Sequence, residues 1–178
     1  MDDEDYRYFL GLFDRHLGSK VTIYRYKESP NYSKKLELIA YCLMPNHFHI
    51  LIYQIEKDGM EKLMRSVGTA YTMYFNKKYK RVGSLFQDRY KAVMISDDSY
   101  YAHISRYIHL NPLDINNDYK TYQYSSLNGW LNDSERPNWL KPDRVKCEFR
   151  NNKDYTEFLD SYKKVKDELD VIKKDLKE

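Results

Sequence analysis

Apolar side chains recur at helical spacing in four stretches of the chain and run on or alternate at strand spacing in three others. From Asp2 to Leu17, the residues Tyr6, Phe9, Leu10, Phe13 and Leu17 follow at steps of 3, 1, 3 and 4, one face of a helix. Acids crowd its start, where the helix dipole favours negative charge, and Gly18 ends it. Residues 19–35 break the pattern with Pro30, Asn31 and Ser33, leaving at most a short strand over Val21–Tyr26. Leu36–Leu43 is apolar nearly throughout, as a central strand is. Met44–Pro45–Asn46 makes a turn, and His47–Tyr53 is the returning strand. Met60–Tyr79 is a helix striped by Leu63, Val67, Ala70, Tyr71, Tyr74 and Phe75. After a turn at Gly83, Leu85–Ile95 reads as a third strand. Ser96, Asp97 and Asp98 offer an N-cap for a helix that runs to about Leu110, where Pro112 halts it. Tyr101, Ile104 and Ile108 form its core face. Residues 113–157 are loop-rich, and Phe158–Leu176 is an amphipathic helix with heptad steps.

The order helix, two strands, helix, strand, helix is that of an α+β fold of the ferredoxin-like (split βαβ) kind. Its antiparallel sheet carries helices on one face. Such a fold opens with a strand, and none is visible before Asp2. The expectation is one domain over residues 1–157 and a C-terminal helix over residues 158–178, docked on its own domain or joining a homodimer. No apolar run approaches the roughly eighteen residues of a membrane span. The acidic start Met1–Asp5 is unlike a signal peptide, so a cytoplasmic protein is expected, with Cys42 and Cys147 as thiols.

Charge changes the picture. The chain of 178 residues carries a net charge of only +3, yet from Lys62 to Lys91 eight basic residues face a single acid, Asp88. The same stretch is rich in tyrosine, of which the chain has 19. A basic, aromatic segment on an otherwise acidic chain is the footprint of a nucleic-acid-binding face, or of a helix face that is merely solvated and basic. Its candidate contacts are Arg65, Lys77, Lys78, Lys80, Arg81, Arg89, Lys91 and Tyr90.

His47 and His49 supply candidate chemistry. Alternate residues of a strand share a face, so their imidazoles project together, roughly 7 Å apart along the chain. Such a pair can hold a divalent metal, and it also occurs as ordinary surface or core histidines. On the helix before Pro112, Tyr107 and Asn111 lie four apart on a common face. Two imidazoles and an amide oxygen would hold Mg2+ or Mn2+ with positions left open for a phosphate. Tyr107 would then be a nucleophile, although among 19 tyrosines any single one is more often packing than catalysis.

Four strings extend this reading. Ala40–Tyr41–Cys42–Leu43–Met44–Pro45–Asn46–His47–Phe48–His49 resembles the His-hydrophobe-His motif of the HUH single-tyrosine transposases. Gly83–Ser84–Leu85–Phe86–Gln87–Asp88–Arg89–Tyr90–Lys91 and Arg106–Tyr107–Ile108–His109–Leu110–Asn111–Pro112 are similar to two signatures of that family's REP-associated branch. Tyr122–Gln123–Tyr124–Ser125–Ser126 is similar to its Tyr-x-x-Ser-Ser segment. The resemblance spans roughly residues 4–160. It implies metal-dependent cleavage and joining of single-stranded DNA beside hairpins of repetitive palindromic elements, through a 5′-phosphotyrosine. It also implies that His47, His49 and Asn111 are metal ligands and that Tyr107 is the nucleophile. Two other readings stand beside it: a module that binds structured single strands without cutting them, and a hydrolase of small phosphate esters.

Overall fold

A computed structural model describes residues 1–20, 23–24, 27–97, 99–115 and 117–161. The chain is α+β. Its elements run α1 (Asp3–Leu17), β1 (Ile23–Tyr24), β2 (Lys27–Glu28), β3 (Leu36–Leu43), β4 (Phe48–Gln54), α2 (Gly59–Tyr79), α3 (Tyr100–Leu110), a 3-10 turn (Asn111–Ile115), α4 (Leu127–Leu131), α5 (Asp143–Lys146) and α6 (Asn152–Asp160). The strands form two hairpins, β1–β2 and β3–β4. The described chain clusters into two compact units. One comprises Met1–Glu37, Ile52–Arg89 and Pro137–Trp139; the other comprises Leu38–Leu51, Tyr90–Arg136 and the described chain from Leu140 on. Among the described residues no helix is long and apolar enough to cross a membrane.

The first unit rests on α1 packed against α2. Asp2 and Asp5 form a reciprocal capping box at the start of α1, each carboxylate accepting the other's backbone N–H at 3.1 and 2.9 Å. These acids also cross to α2. Lys78 Nζ lies 2.7 Å from Asp2, 2.9 Å from Glu4 and 2.9 Å from Asp5. The hydroxyls of Tyr74 and Tyr79 donate to Asp5 at 3.1 and 2.7 Å. Burial pushes the Asp5 carboxyl up, but hydrogen bonds from Lys78, Tyr79, the Asp2 backbone and Tyr74 outweigh it and bring its pKa down to about 2. Beside this cluster Tyr8 stacks on Tyr74 at 3.8 Å, and Phe9 meets Tyr71 edge-on at 5.0 Å. The aromatic stripes expected of both helices therefore meet each other.

At the entry to α2, the Lys35 carbonyl accepts the N–H groups of Ile55 and Glu56, both at 2.9 Å. Gly59 packs over that same carbonyl, where a Cβ would stand 2.9 Å from the oxygen.

In the second unit β3 is buried along nearly its whole length. One edge pairs with β4. Later chain satisfies the other. Lys141 N–H donates to Leu38 C=O at 2.8 Å, and Ser126 N–H to Tyr41 C=O at 2.9 Å. Leu43 N–H donates to Tyr124 C=O at 2.9 Å. Side chains complete the edge, with Trp130 Nε1 on Ile39 C=O at 2.9 Å and Tyr122 OH on Leu43 C=O at 2.7 Å. The Tyr122–Ser126 string thus lies along β3 as a short surrogate strand.

Three expectations are corrected. Leu85–Ile95 forms no strand: among the described residues each sheet has two strands, and this segment is largely exposed. Alternation of side chains records exposure, whereas a strand also needs an edge to pair with. The helix before Pro112 starts at Tyr100, because Asp97 folds into a local turn that accepts Ser99 N–H at 2.9 Å. Its buried face is Ala102, Ser105, Arg106 and His109 with Ile108, while Tyr101 and Ile104 are only half-buried. The expected helix over Phe158–Leu176 falls mostly outside the described residues, as do parts of Val21–Tyr26 and of the Ser96–Asp98 cap.

Two stability predictions follow from these contacts. Gly59→Ala should lower the unfolding free energy by about 1–2 kcal/mol, since the Lys35 carbonyl is pinned and cannot yield. Gly68→Ala, in open space on the same helix, should raise it by about 0.5–1 kcal/mol. Urea midpoints of the two variants should therefore move in opposite directions. The Asp5 carboxyl titrates lower in the folded chain than in the unfolded one. Its contribution is present above the ordinary carboxyl value and is lost as pH falls through about 2. With Lys78 only 21% exposed, the loss between pH 4 and pH 2 should be on the order of 1–2 kcal/mol. In Asp5→Asn, denaturation curves across that window should lack this increment.

Candidate active site

The β3–β4 turn is closed by Met44 N–H donating to His47 C=O at 2.8 Å. His47 is the last residue before β4, and His49 is the second residue within it. Their side chains converge as alternation requires. The two Nε2 atoms are 3.0 Å apart, and the rings stand at 90° with centroids 4.8 Å apart. Asn46 Oδ1 lies 2.7 Å from His47 Nδ1. A carbonyl oxygen only accepts, so Nδ1 carries the proton and His47 Nε2 keeps its lone pair. Although part of the ring meets solvent, desolvation holds the His47 pKa below its ordinary value, and Asp114 works against that shift. Asp114 sits on the 3-10 turn that extends α3.

Helix α3 presents Tyr107 to this pair. The Tyr107 ring meets His49 edge-on, at 5.2 Å and 77°, and is only 8% exposed. One turn later Asn111 caps the helix, its Nδ2 donating to Tyr107 C=O at 2.8 Å. That bond engages the amide nitrogen and leaves the amide oxygen as the ligand-type atom. The structure therefore brings His47, His49 and Tyr107 together and ties Asn111 to the Tyr107 backbone. Among the described residues no three His, Cys, Asp or Glu side chains converge as a metal cluster. A third protein ligand beside the histidines would have to be of another kind, such as an amide.

The opposite face of α3 is polar and buried, which its sequence pattern did not predict. His109, without exposed surface, has its Nδ1 2.6 Å from Tyr155 OH and its Nε2 2.7 Å from Ser126 Oγ. Burial pushes the His109 pKa down to about 3, so the ring is neutral. Arg106 lies 3.0 Å from His103 Nδ1 and stacks over Phe158 at 4.2 Å. Arg106 and His109 sit inside the same motif string as Tyr107, and Asn46 and Ser126 lie in two others, so the strings were the available signal. Asp114 and Tyr155 carried none.

The basic residues divide. Lys78 is committed to the acids of α1, and those contacts hold its pKa well above the ordinary lysine value against the cost of its burial. Arg65 pairs with Glu61 one turn before it. Arg81 lies over the Phe75 ring at 5.8 Å. Lys77, Lys80, Arg81, Arg89 and Lys91 are exposed, together with Phe86 and Tyr90 at 36% and 39%.

No curated protein and no solved structure matches the chain. A family model described as Transposase IS200 like matches residues 14–111. That span is more than half of the chain, and it holds the turn, both histidines, Tyr107 and Asn111. The chain belongs to the IS200-like transposase family.

Proposed function

We propose that this chain is a metal-dependent single-strand DNA endonuclease and strand transferase of the REP-associated branch, acting beside DNA hairpins. In this reading β3 and β4 belong to a ferredoxin-like catalytic domain over residues 1–157. The observation that carries the proposal is the meeting of the two Nε2 atoms, 3.0 Å apart, with the Tyr107 ring against His49.

The donor set fits a divalent ion. Two imidazole nitrogens and an amide oxygen are a mixed nitrogen and oxygen donor set that Mn2+, and less readily Mg2+, accepts. His47, His49 and Asn111 would hold it, and Mg2+ or Mn2+ bound there would supply Lewis-acid polarisation of a phosphate oxygen. With Asn46 Oδ1 accepting from Nδ1, His47 presents its Nε2 lone pair toward His49. Tyr107 Oη attacks the phosphorus and gives up its proton. The 3′-oxygen departs with the bonding electrons and takes a proton, leaving a 5′-phosphotyrosine. A free 3′-hydroxyl reverses the exchange and joins strands without an external energy source. The exposed cations from Lys77 to Lys91, with Phe86 and Tyr90 among them, suit the backbone and bases of a single strand.

A second reading is a module that binds single strands without cutting them. The burial of Tyr107 favours it, because a nucleophile must reach its phosphate. Incubation with hairpin-flanked oligonucleotides and Mn2+, followed by denaturing electrophoresis, separates the two. The wild-type chain should form a covalent adduct. Tyr107→Phe should form none while still binding DNA, and His47→Ala or His49→Ala should behave like wild type treated with chelator. An adduct from Tyr107→Phe, or undiminished cleavage in chelator, would overturn these assignments. Salt dependence tests the DNA face. Replacing Lys77, Arg89 and Lys91 with Ala should flatten the slope of log affinity against log salt by about 2. Lys78→Ala should leave that slope unchanged and instead lower the melting temperature.

A further inference from the structure

We infer that His109 is a positioning residue for Tyr107, and that the buried chain Tyr155–His109–Ser126 sets where the tyrosine meets the histidine pair. The inference rests on the nucleophilic role proposed for Tyr107. It concerns residues that face away from the site and touch no substrate.

Two residues apart on a helix, Tyr107 and His109 point to nearly opposite sides of α3. Whatever grips His109 therefore sets the rotation and depth at which Tyr107 emerges. The grip is made at both ring nitrogens. Nδ1 is 2.6 Å from Tyr155 OH, which also lies 3.1 Å from Ser105 Oγ on the same helix. Nε2 is 2.7 Å from Ser126 Oγ. That hydroxyl accepts the Tyr41 N–H at 2.9 Å, while the Ser126 N–H donates to Tyr41 C=O at 2.9 Å. Tyr41 belongs to β3, which runs on through the Met44–Pro45–Asn46 turn into His47. One imidazole thus joins the helix that carries the tyrosine to the strand that leads into the histidine pair.

Packing alone does not call for this arrangement. A buried imidazole loses its hydration and must recover hydrogen bonds at both nitrogens, which a leucine of similar volume need not do. An imidazole does what an aliphatic side chain cannot, fixing two partners at set directions on a rigid ring. The Trp130 ring, edge-on to His109 at 4.9 Å, blocks its rotation. A fully satisfied buried network of this kind selects one helix placement from several that a greasy contact would permit.

The test uses the full-length chain with hairpin-flanked oligonucleotide and Mn2+ under single-turnover conditions. It compares Ser126→Ala, Tyr155→Phe, His109→Leu and His109→Gln. The readouts are the adduct-forming rate at saturating DNA, the half-saturating DNA concentration, the melting temperature and the imidazole NMR signals of His49, which report the Tyr107 ring beside them. Displacing an attacking group by about 1 Å can cost on the order of 100-fold in rate. Ser126→Ala and Tyr155→Phe should each slow the saturated rate by roughly 10-fold, and His109→Leu by roughly 100-fold, with half-saturation nearly unchanged. His109→Gln, which restores one donor and one acceptor, should recover much of the loss. The His49 signals should move in the slow variants and return toward wild type in His109→Gln.

A saturated rate within twofold of wild type in Ser126→Ala and Tyr155→Phe would overturn the inference. So would losses that merely follow the unfolded fraction, or that appear only as weaker DNA binding. If His109→Leu does not fold, the two hydroxyl deletions decide alone. If wild type forms no adduct, the nuclease reading fails, and the His49 signals still decide the placement of Tyr107: unchanged signals in both hydroxyl deletions overturn it.

Discussion

The second unit depends on how the outer edge of β3 is satisfied. A buried strand exposes alternating N–H and C=O groups along both edges, and each one left without a partner costs as much as a lost hydrogen bond. One edge of β3 is met by β4. Among the described residues the other meets no regular strand but a series of separate pieces: Tyr122–Ser126, the Trp130 indole and Lys141. Each piece arrives from loop-rich chain and is held by the very groups it satisfies. The loops from residue 117 on are therefore ordered by β3, and β3 in turn by them. The aromatic anchors Tyr122, Tyr124 and Trp130 each make one backbone or side-chain hydrogen bond with the strand, and Trp130 adds a fully buried ring.

The same edge also holds α3, through Ser126 between Tyr41 and His109. The Arg106–Pro112 string reads differently on its two sides. Tyr107 turns toward the histidine pair and Asn111 bonds back to the Tyr107 carbonyl, while Arg106 and His109 turn into the core. A helix that is anchored on one side and faces the histidine pair on the other carries both sets in one short segment. Its period then places Tyr107 and Asn111 on one side and His109 on the other. Pro112 ends the α-helical bonds and tightens the chain into the 3-10 turn that carries Asp114 to within electrostatic range of His47.

Much of this was legible in the sequence. The α1 and α2 stripes and the β3–β4 hairpin were read to within a residue or so, because long amphipathic helices and an apolar strand announce themselves by period. That His47 and His49 project together was readable because alternation is local geometry. What stayed hidden is non-local or polar. Leu85–Ile95 alternates like a strand, yet strand formation depends on an edge that no local pattern describes. His109, Ser105 and Arg106 are polar in sequence and core in structure, since each meets its partners only through tertiary contact. Lys78 counted toward the basic segment, but its partners lie more than seventy positions earlier in the chain.

Lys78 also separates two uses of charge that composition merges. Positive residues near a helix C-terminus can oppose the macrodipole, pair with acids or meet phosphate, and the geometry decides among them. With Asp2, Glu4 and Asp5 around its ammonium, Lys78 works inside the α1–α2 contact, where salt screening acts weakly on partly buried pairs. Lys77, its neighbour in sequence, lies a hundred degrees around the helix and is exposed, where added salt screens it fully. Salt should therefore weaken whatever Lys77 contacts from solvent long before it loosens α1 from α2.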